Sequence, residues 1–289
     1  MTTKTIEKVI KPGTPHFVGD GFRVHNFIPS VFSMERTDPF IMMDYNAPYE
    51  FSPTEIPRGV GVHPHKGFET VTIAYQGKVE HGDSAGGGGI IGQGDVQWMT
   101  AGSGVLHKEF HETEWSKKGG IFQMMQLWVN LPAKHKLTPA KYQAIENKDI
   151  PRVAIANDMG EVEIIAGQFQ NQKGAASTFS PIEMYNVDLK ENAVESFSFP
   201  KHYTTALVVI NGEITVNQSE IVPADHFVLF AKDGENIEIK ATKNSKILLL
   251  SGEPIAEPIA AYGPFVMNTR EELITAFKEF EQGKFGNLE

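Results

Sequence analysis

The sequence predicts an all-β protein made of two similar β-barrels in tandem, with one amphipathic helix at its end. Three observations carry that expectation. Short apolar runs with period-two alternation, broken by Gly and Pro turns, fill most of the chain from Phe22 to Pro254. The second half echoes the first at an offset of about one domain's length. A strong helical pattern of apolar residues occurs only near the end.

Residues 1–60 hold short apolar pieces between Pro12-Gly13, Gly19-Asp20-Gly21 and Asp38-Pro39, with strands expected over 22–27 and 39–45. Over 68–75, Val71, Ile73 and Tyr75 face one way and Thr70, Thr72 and Ala74 the other. That is the pattern of a half-buried antiparallel strand, which Gln76-Gly77 turns. The four glycines at 86–89 lack the Gly-Lys-Ser/Thr of a phosphate loop and read as a flexible hairpin tip at a barrel mouth. A turn at Gly92-Gln93-Gly94-Asp95 leads into a strand over 96–99, and Ala101-Gly102-Ser103-Gly104 delivers Val105-Leu106-His107. A further strand over 123–131 is closed by Pro132.

Thr138-Pro139 has the form of a helix start, a capping residue followed by proline at the first helical position, and predicts a short connecting helix to about Glu146. Near the end, Thr269-x-x-Glu272 is a capping box. Leu273, Ile274, Phe277 and Phe280 then form one apolar helical face, and Gly283 stops the helix. Such a helix is expected to pack as a lid on a barrel. The division this implies is an N-terminal domain over 1–137, a connector over 138–160 and a C-terminal domain over 161–289 that carries the helix.

Composition narrows the function. Hydrophobic residues make up 40% and charged residues 21% of the 289, enough for sizeable cores. A formal charge of −10 argues against direct nucleic-acid binding, which needs a basic footprint. With no cysteine, there is no disulfide framework, thiolate zinc site or thiol nucleophile. The N-terminal residues lack an apolar signal region, and no apolar run approaches the ~20 residues that span a bilayer, so the expectation is a cytoplasmic protein that binds no membrane.

Histidine carries the chemistry. Five of the ten histidines, His63, His65, His81, His107 and His111, fall within 63–111. His63-x-His65 on a strand points both imidazoles to one face, and His107-x-Glu109 repeats the geometry with a carboxylate. If those two strands lie side by side, three imidazoles and one carboxylate converge, a ligand set that suits borderline divalent metals. His81 and His111 are assigned no metal role. In the echo, Gln76-Gly77-Lys78-Val79 matches Asn211-Gly212-Glu213-Ile214, and Gly94-Asp95-Val96 matches Ala224-Asp225-His226. Counting from these anchors, His63 and His65 become Ser198 and Pro200, while His107 and Glu109 become Ile237 and Ile239. The C-terminal domain is therefore expected to hold no metal.

The segments HPHKGFETVT at 63–72, GDVQWMTAGSGVLHKE at 94–109 and GPFVMNT at 263–269 resemble the pirin family of the cupin superfamily. The resemblance covers nearly the whole chain and implies two double-stranded β-helix (jelly-roll) barrels. Thr100 stands where the general cupin pattern has proline, a departure that matches the pirin variant. Many cupins take their fourth ligand from the first motif, here Glu69; pirins take the acid two after the third histidine, here Glu109. Glu109 shares the inward face of its strand with His107 and is preferred, leaving Glu69 to support a ligand imidazole.

The resemblance implies a quercetin 2,3-dioxygenase activity, cleavage of a flavonol ring with dioxygen and release of carbon monoxide. Iron(II) is the first choice of metal, with nickel, manganese, copper, cobalt or zinc also compatible. Glu109 is expected to act as general base as well as ligand, and Phe68, Trp98, Met99 and Glu69 to line the substrate pocket, with Phe51 and Phe122 as further walls. The alternative is a regulatory metal protein, a transcriptional or metabolic co-regulator acting through a protein partner. A purely structural metal ranks last, since structural zinc normally closes its shell with thiolates. The chain is expected to act as a monomer.

Overall fold

The structure, a computed structural model, describes residues 2–289. Its strands separate into two compact units. One comprises Gly13–Lys148 together with Ile255–Glu289, and the other comprises Asp149–Pro254 with the N-terminal residues up to Pro12.

In the first unit a seven-stranded antiparallel sheet runs in the order Lys141–Ile145, Val96–Thr100, Phe68–Gln76, Gly120–Asn130, Phe40–Phe51, Phe22–Ile28 and His16–Val18. A four-stranded sheet, ordered Gly59–His65, Val105–His111, Val79–Asp83 and Gly88–Ile91, faces it. Thr70, Thr72 and Ala74 point into the space between, as the alternation of Phe68–Gln76 requires. The Thr72 hydroxyl crosses that space to Glu109, and Ala74 packs with Val79 and Ile91 of the smaller sheet.

The second unit repeats this order strand for strand. Its larger sheet runs Ile6–Ile10, Phe227–Phe230, Thr204–Asn211, Ser245–Gly252, Ile182–Leu189, Gly160–Ala166 and Arg152–Ile155. Its smaller sheet runs Val194–Ser198, Asn236–Ala241, Glu213–Val216 and Glu220–Pro223. The expected echo is thus a repeat of architecture. The sheets do not close into barrels, however. The backbone ladder stops at the edges of each sheet, and side chains fill the interior between two open sheets, a cupin-type sandwich.

Three expectations change. The blocks 1–137 and 161–289 differ from the observed units at both ends. Ile6–Ile10 pairs with Phe227–Phe230, while Val266 N–H donates to the Lys66 carbonyl and Lys66 N–H to the Pro264 carbonyl. The connecting helix after Thr138-Pro139 is absent; Lys141–Ile145 is a strand paired with Val96–Thr100, preceded by a 3-10 turn at Ala133–His135. Pairing with an open sheet edge overrides the local helix-start signal, and Tyr142 gains a stacked contact with His81 at 5.1 Å. The final helix, Arg270–Glu281, has the predicted capping box but belongs to the first unit. Its Ala276 is buried against Phe265 and Phe285, with Leu106, Leu273 and Phe277 around them. Ile274 and Phe280, expected on the buried face, are 48% and 38% exposed.

The four glycines do not form a phosphate cradle. Gly88 and Gly89 begin the strand Gly88–Ile91, and the preceding turn is held by Asp83 Oδ1, which accepts from the Ala85 and Gly87 N–H groups at 2.9 Å. No helix among the described residues is long and apolar enough to cross a membrane.

One end of the first sandwich is plugged by Phe22, Phe51, Phe122, Met124 and Val79, so Phe51 and Phe122 are core. His111 lies in this plug, its ring 4.5–5.7 Å from those of Phe22, Phe51, Trp115 and Phe122, with Nε2 donating to the Gly21 carbonyl at 2.7 Å. Burial pushes its pKa down from 6.5 to about 4, against the Gly21 carbonyl, so the folded protein holds it neutral. An unfolded chain takes up that proton below 6.5, so stability contributed by neutral His111 is lost as pH falls from 6.5 towards 4. His111→Leu is expected to flatten the fall in melting temperature between pH 7.5 and pH 5, in a calorimetric comparison with wild type.

Candidate metal centre

The strands Gly59–His65 and Val105–His111 are antiparallel neighbours, with His107 opposite His63 and Val105 opposite His65. Period two then sets His63, His65 and His107 on the inner face and Pro64 outside. A bulge between the His107 and Glu109 pairings brings Glu109 opposite Val60. The ring centres of His63, His65 and His107 lie 4.1–4.9 Å apart.

Hydrogen bonds leave lone pairs free on these imidazoles. His63 Nδ1 faces the Gly61 carbonyl at 2.8 Å, which fixes the proton there and leaves Nε2 as an acceptor. His107 Nδ1 approaches His81 Nδ1 at 3.5 Å, and His107 Nε2 is buried with no partner. His65 Nδ1 is likewise buried and unpaired. Burial, then the neighbouring histidines, holds the pKa values of His65 and His107 well below 6.5, so both are neutral donors. One ligand atom from each of His63, His65 and His107 can be chosen so that all lie within 4.8 Å of one another. Orphaned, deprotonated nitrogens converging in this way fit a borderline divalent metal.

Glu109 divides from this trio. It forms a second group of the same compactness with His107 and His81, the histidine given no role on sequence. Three neutral donors hold its carboxylate: Gln97 Nε2 at 3.2 Å and Thr72 Oγ1 at 3.4 Å on Oε1, and Gln126 Nε2 at 3.2 Å on Oε2. Gln97, Thr72, Gln126 and Asp44 form one row across four paired strands, and Asp44 accepts from Asn26 at 2.7 Å. Tyr142 donates to Gln97 Oε1 at 3.4 Å, orienting the amide so that its NH₂ serves both Glu109 and His81 Nδ1. His81 Nε2 in turn faces Asp83 at 3.3 Å. The signal for this belt was present in sequence as polar residues in phase with Thr72, but it needed the register of distant strands to be read.

The pocket residues separate into two faces. Phe68 and Met99 lie on the inner face; the Phe68 ring is 5.1 Å from His65 and stacks on Trp128, itself 5.2 Å from His65. Trp128 was not anticipated. Glu69 pairs with Thr100, and Trp98 with Val71, so both point away from the histidines. Glu69 instead accepts from Thr100 Oγ1 at 2.7 Å, and burial pushes its pKa up to about 7. Behind His65, Gly67 adopts φ +88°, and a Cβ there would meet the Val266 carbonyl at 2.0 Å. Buried Lys136 clamps this turn, its ammonium bonding the Gly67 carbonyl, Asn130 Oδ1 and the Val266 carbonyl at 2.8, 2.7 and 3.1 Å.

In the second unit the same places are apolar. Strand register puts Phe197 opposite Ile237 as His63 is opposite His107, so Phe197 and Phe199, rather than Ser198 and Pro200, replace His63 and His65. Ile237 and Ile239 replace His107 and Glu109, and Val216 replaces His81. The belt row Gln97, Thr72, Gln126 and Asp44 becomes Val228, Leu207, Leu249 and Tyr185. All nine belong to one buried cluster with its neighbours.

A two-sheet cupin sandwich with a converging histidine trio is the class of protein that this fold and site define. Family comparison gives the same result: residues 21–129 match the model described as Pirin, and residues 184–286 match the Pirin C-terminal cupin domain. The chain is 46% identical over 270 residues to a Pseudomonas aeruginosa protein named "Putative quercetin 2,3-dioxygenase PA2418", covering 93% of this chain and 94% of that one. It is 37% identical over 275 residues to Pirin-1 of Arabidopsis thaliana, covering 93% and 90%. A crystal structure described as quercetin 2,3-dioxygenase from Acinetobacter baumannii superposes with a TM-score of 0.94 at 46% identity over the full length of both chains. The chain belongs to the pirin family.

The two carboxylates are separable by mutation. Glu69→Gln is expected to leave metal content unchanged and to raise the melting temperature at pH 8, because a neutral amide replaces a buried acid that is charged above about 7. His107→Ala is expected to abolish stoichiometric metal binding in elemental analysis, and full retention of metal would refute the trio.

Proposed function

We propose that this chain is a metal-dependent quercetin 2,3-dioxygenase, which opens a flavonol ring with dioxygen and releases carbon monoxide. His63, His65, His107 and Glu109 hold one divalent metal, iron(II) in the first instance, and the apolar interior of the second unit holds none. The observation that carries this reading is the convergence of three imidazoles, one of which, His107, also lies beside a carboxylate fixed by neutral donors. The 46% identity to the Acinetobacter baumannii structure supports the choice of reaction.

Bound there, a divalent metal supplies Lewis-acid polarisation of a substrate oxygen and a path for electron density towards dioxygen. The protein's residues do the rest. Glu109 accepts the flavonol hydroxyl proton as general base. Gln97, Gln126 and Thr72 keep that carboxylate aimed without neutralising it, because each donates a hydrogen bond and none carries a charge. Phe68 and Trp128 present a flat apolar surface beside His65, against which an aromatic ring can lie.

Aerobic incubation of iron(II)-loaded protein with quercetin, followed by absorbance loss and carbon monoxide release, tests the reading. Wild type is expected to release carbon monoxide and His107→Ala to release none. Glu109→Gln is expected to keep much of the metal and to lose at least ~100-fold in turnover, the usual scale for a general base. Absence of turnover with metal demonstrably bound would favour a non-enzymatic regulatory role.

A further inference from the structure

We propose that His81, backed by Asp83, is a positioning residue that fixes which nitrogen of His107 carries the proton, leaving His107 Nε2 free for the metal. This rests on the reading of His107 as a metal ligand and is independent of the reaction that the metal serves.

Strand register puts the pair in place. Val79–Asp83 flanks Val105–His111 on the side away from Gly59–His65, with Asp83 opposite His107 and His81 opposite Glu109. Period two turns all four side chains to the same inner face. His81 is 4% exposed, stacked on Tyr142, with its ring 5.3 Å from that of His107. In the second unit, where Ile237 stands at the His107 position, Val216 stands at that of His81. The two histidines are present together or absent together.

Two neighbours set the His81 proton. Asp83 Oδ2 is an acceptor, so the Nε2 that faces it at 3.3 Å carries hydrogen. Gln97 sets the other nitrogen. Its carbonyl accepts from Tyr142, so its NH₂ lies towards His81 Nδ1 at 3.1 Å, and that nitrogen must accept. His81 Nδ1 also lies 3.5 Å from His107 Nδ1. Two bare nitrogens face to face repel, so His107 Nδ1 holds the hydrogen and shares the His81 lone pair with Gln97. A bond of that length is weak, but it only has to choose between two tautomers of one ring. His107 Nε2 has no hydrogen-bond partner that would favour the other. A neutral imidazole carries one N–H, so Nε2 keeps its lone pair. Asp83, His81 and His107 thus form a carboxylate–imidazole–imidazole chain that ends on a metal-binding nitrogen.

The tautomer is read directly by proton–nitrogen NMR of the full chain, stripped of metal and labelled in its histidines, with His107 assigned by its loss in His107→Gln. The wild-type His107 proton is expected on Nδ1, and a proton on Nε2 would overturn the proposal. Asp83→Asn keeps the side chain's shape, and its remaining oxygen still accepts from the Ala85 and Gly87 N–H groups. It presents an N–H to His81 Nε2 where a carboxylate accepted, which reverses the chain. Nickel(II) affinity, measured by competition with a chelator, is expected to fall about 10- to 100-fold, the scale for losing the partner of a ligand imidazole. His81→Leu is expected to do the same. His81→Asn, whose amide oxygen takes the place of Nδ1, is expected to return affinity to within a few-fold of wild type, a rescue that a packing role would not give. Unchanged affinity in both Asp83→Asn and His81→Leu would overturn the role. So would loss of stoichiometric nickel in His81→Asn as well, which would make His81 a ligand. Absence of nickel from the wild type would instead strike the histidine trio, and this role with it.

Discussion

A carboxylate buried beside imidazoles must find hydrogen-bond donors or leave the interior, and Glu109 finds three on the opposite sheet. The rest of the first unit answers to that requirement. It fixes which face of Phe68–Gln76 carries threonines and which strand of the larger sheet must present glutamine. It also explains why Tyr142 is brought over the smaller sheet by an edge strand where a helix start is written locally. A tyrosine hydroxyl at the Gln97 carbonyl keeps the amide from rotating away from the carboxylate.

The second unit shows what the same topology does without that requirement. With Glu109 replaced by Ile239, no donor row is needed, and Val228, Leu207 and Leu249 fill the positions with hydrocarbon. The replacement is coordinated because a single surviving polar group would be left unsatisfied in a dry interior. One unit is therefore a packed core and the other a lined cup, on matching strand orders.

Much of this was legible in sequence. The period-two pattern of Phe68–Gln76, the His63-x-His65 and His107-x-Glu109 spacings and the Thr269–Glu272 cap depend on local periodicity and are present, although Phe68–Gln76 is buried on both faces and not half-buried as its alternation implied. What escaped depends on partners far apart in the chain. Gln97 and Gln126 reveal a role only once their strands flank Phe68–Gln76. His81 is assigned no metal role on sequence because its neighbours in sequence say nothing of the His107 ring beside it. Counting from the repeat anchors missed the Phe197 and Phe199 positions by one residue, and on a strand one residue changes the face. Glu69, expected to support a ligand imidazole, points away from the histidines because Gly67, at φ +88°, resets the phase between His65 and the strand that carries it.

The crossing of the chain ends between units has a consequence for synthesis. A ribosome emits Ile6–Ile10 long before their strand partner, Phe227–Phe230. The turn that carries His65 is emitted far earlier than the Phe265 and Val266 that support it. Neither unit can therefore finish in the order in which it is written. Each unit is buckled late, and the turn that carries His65 stays without its supports until Phe265 and Val266 have been made.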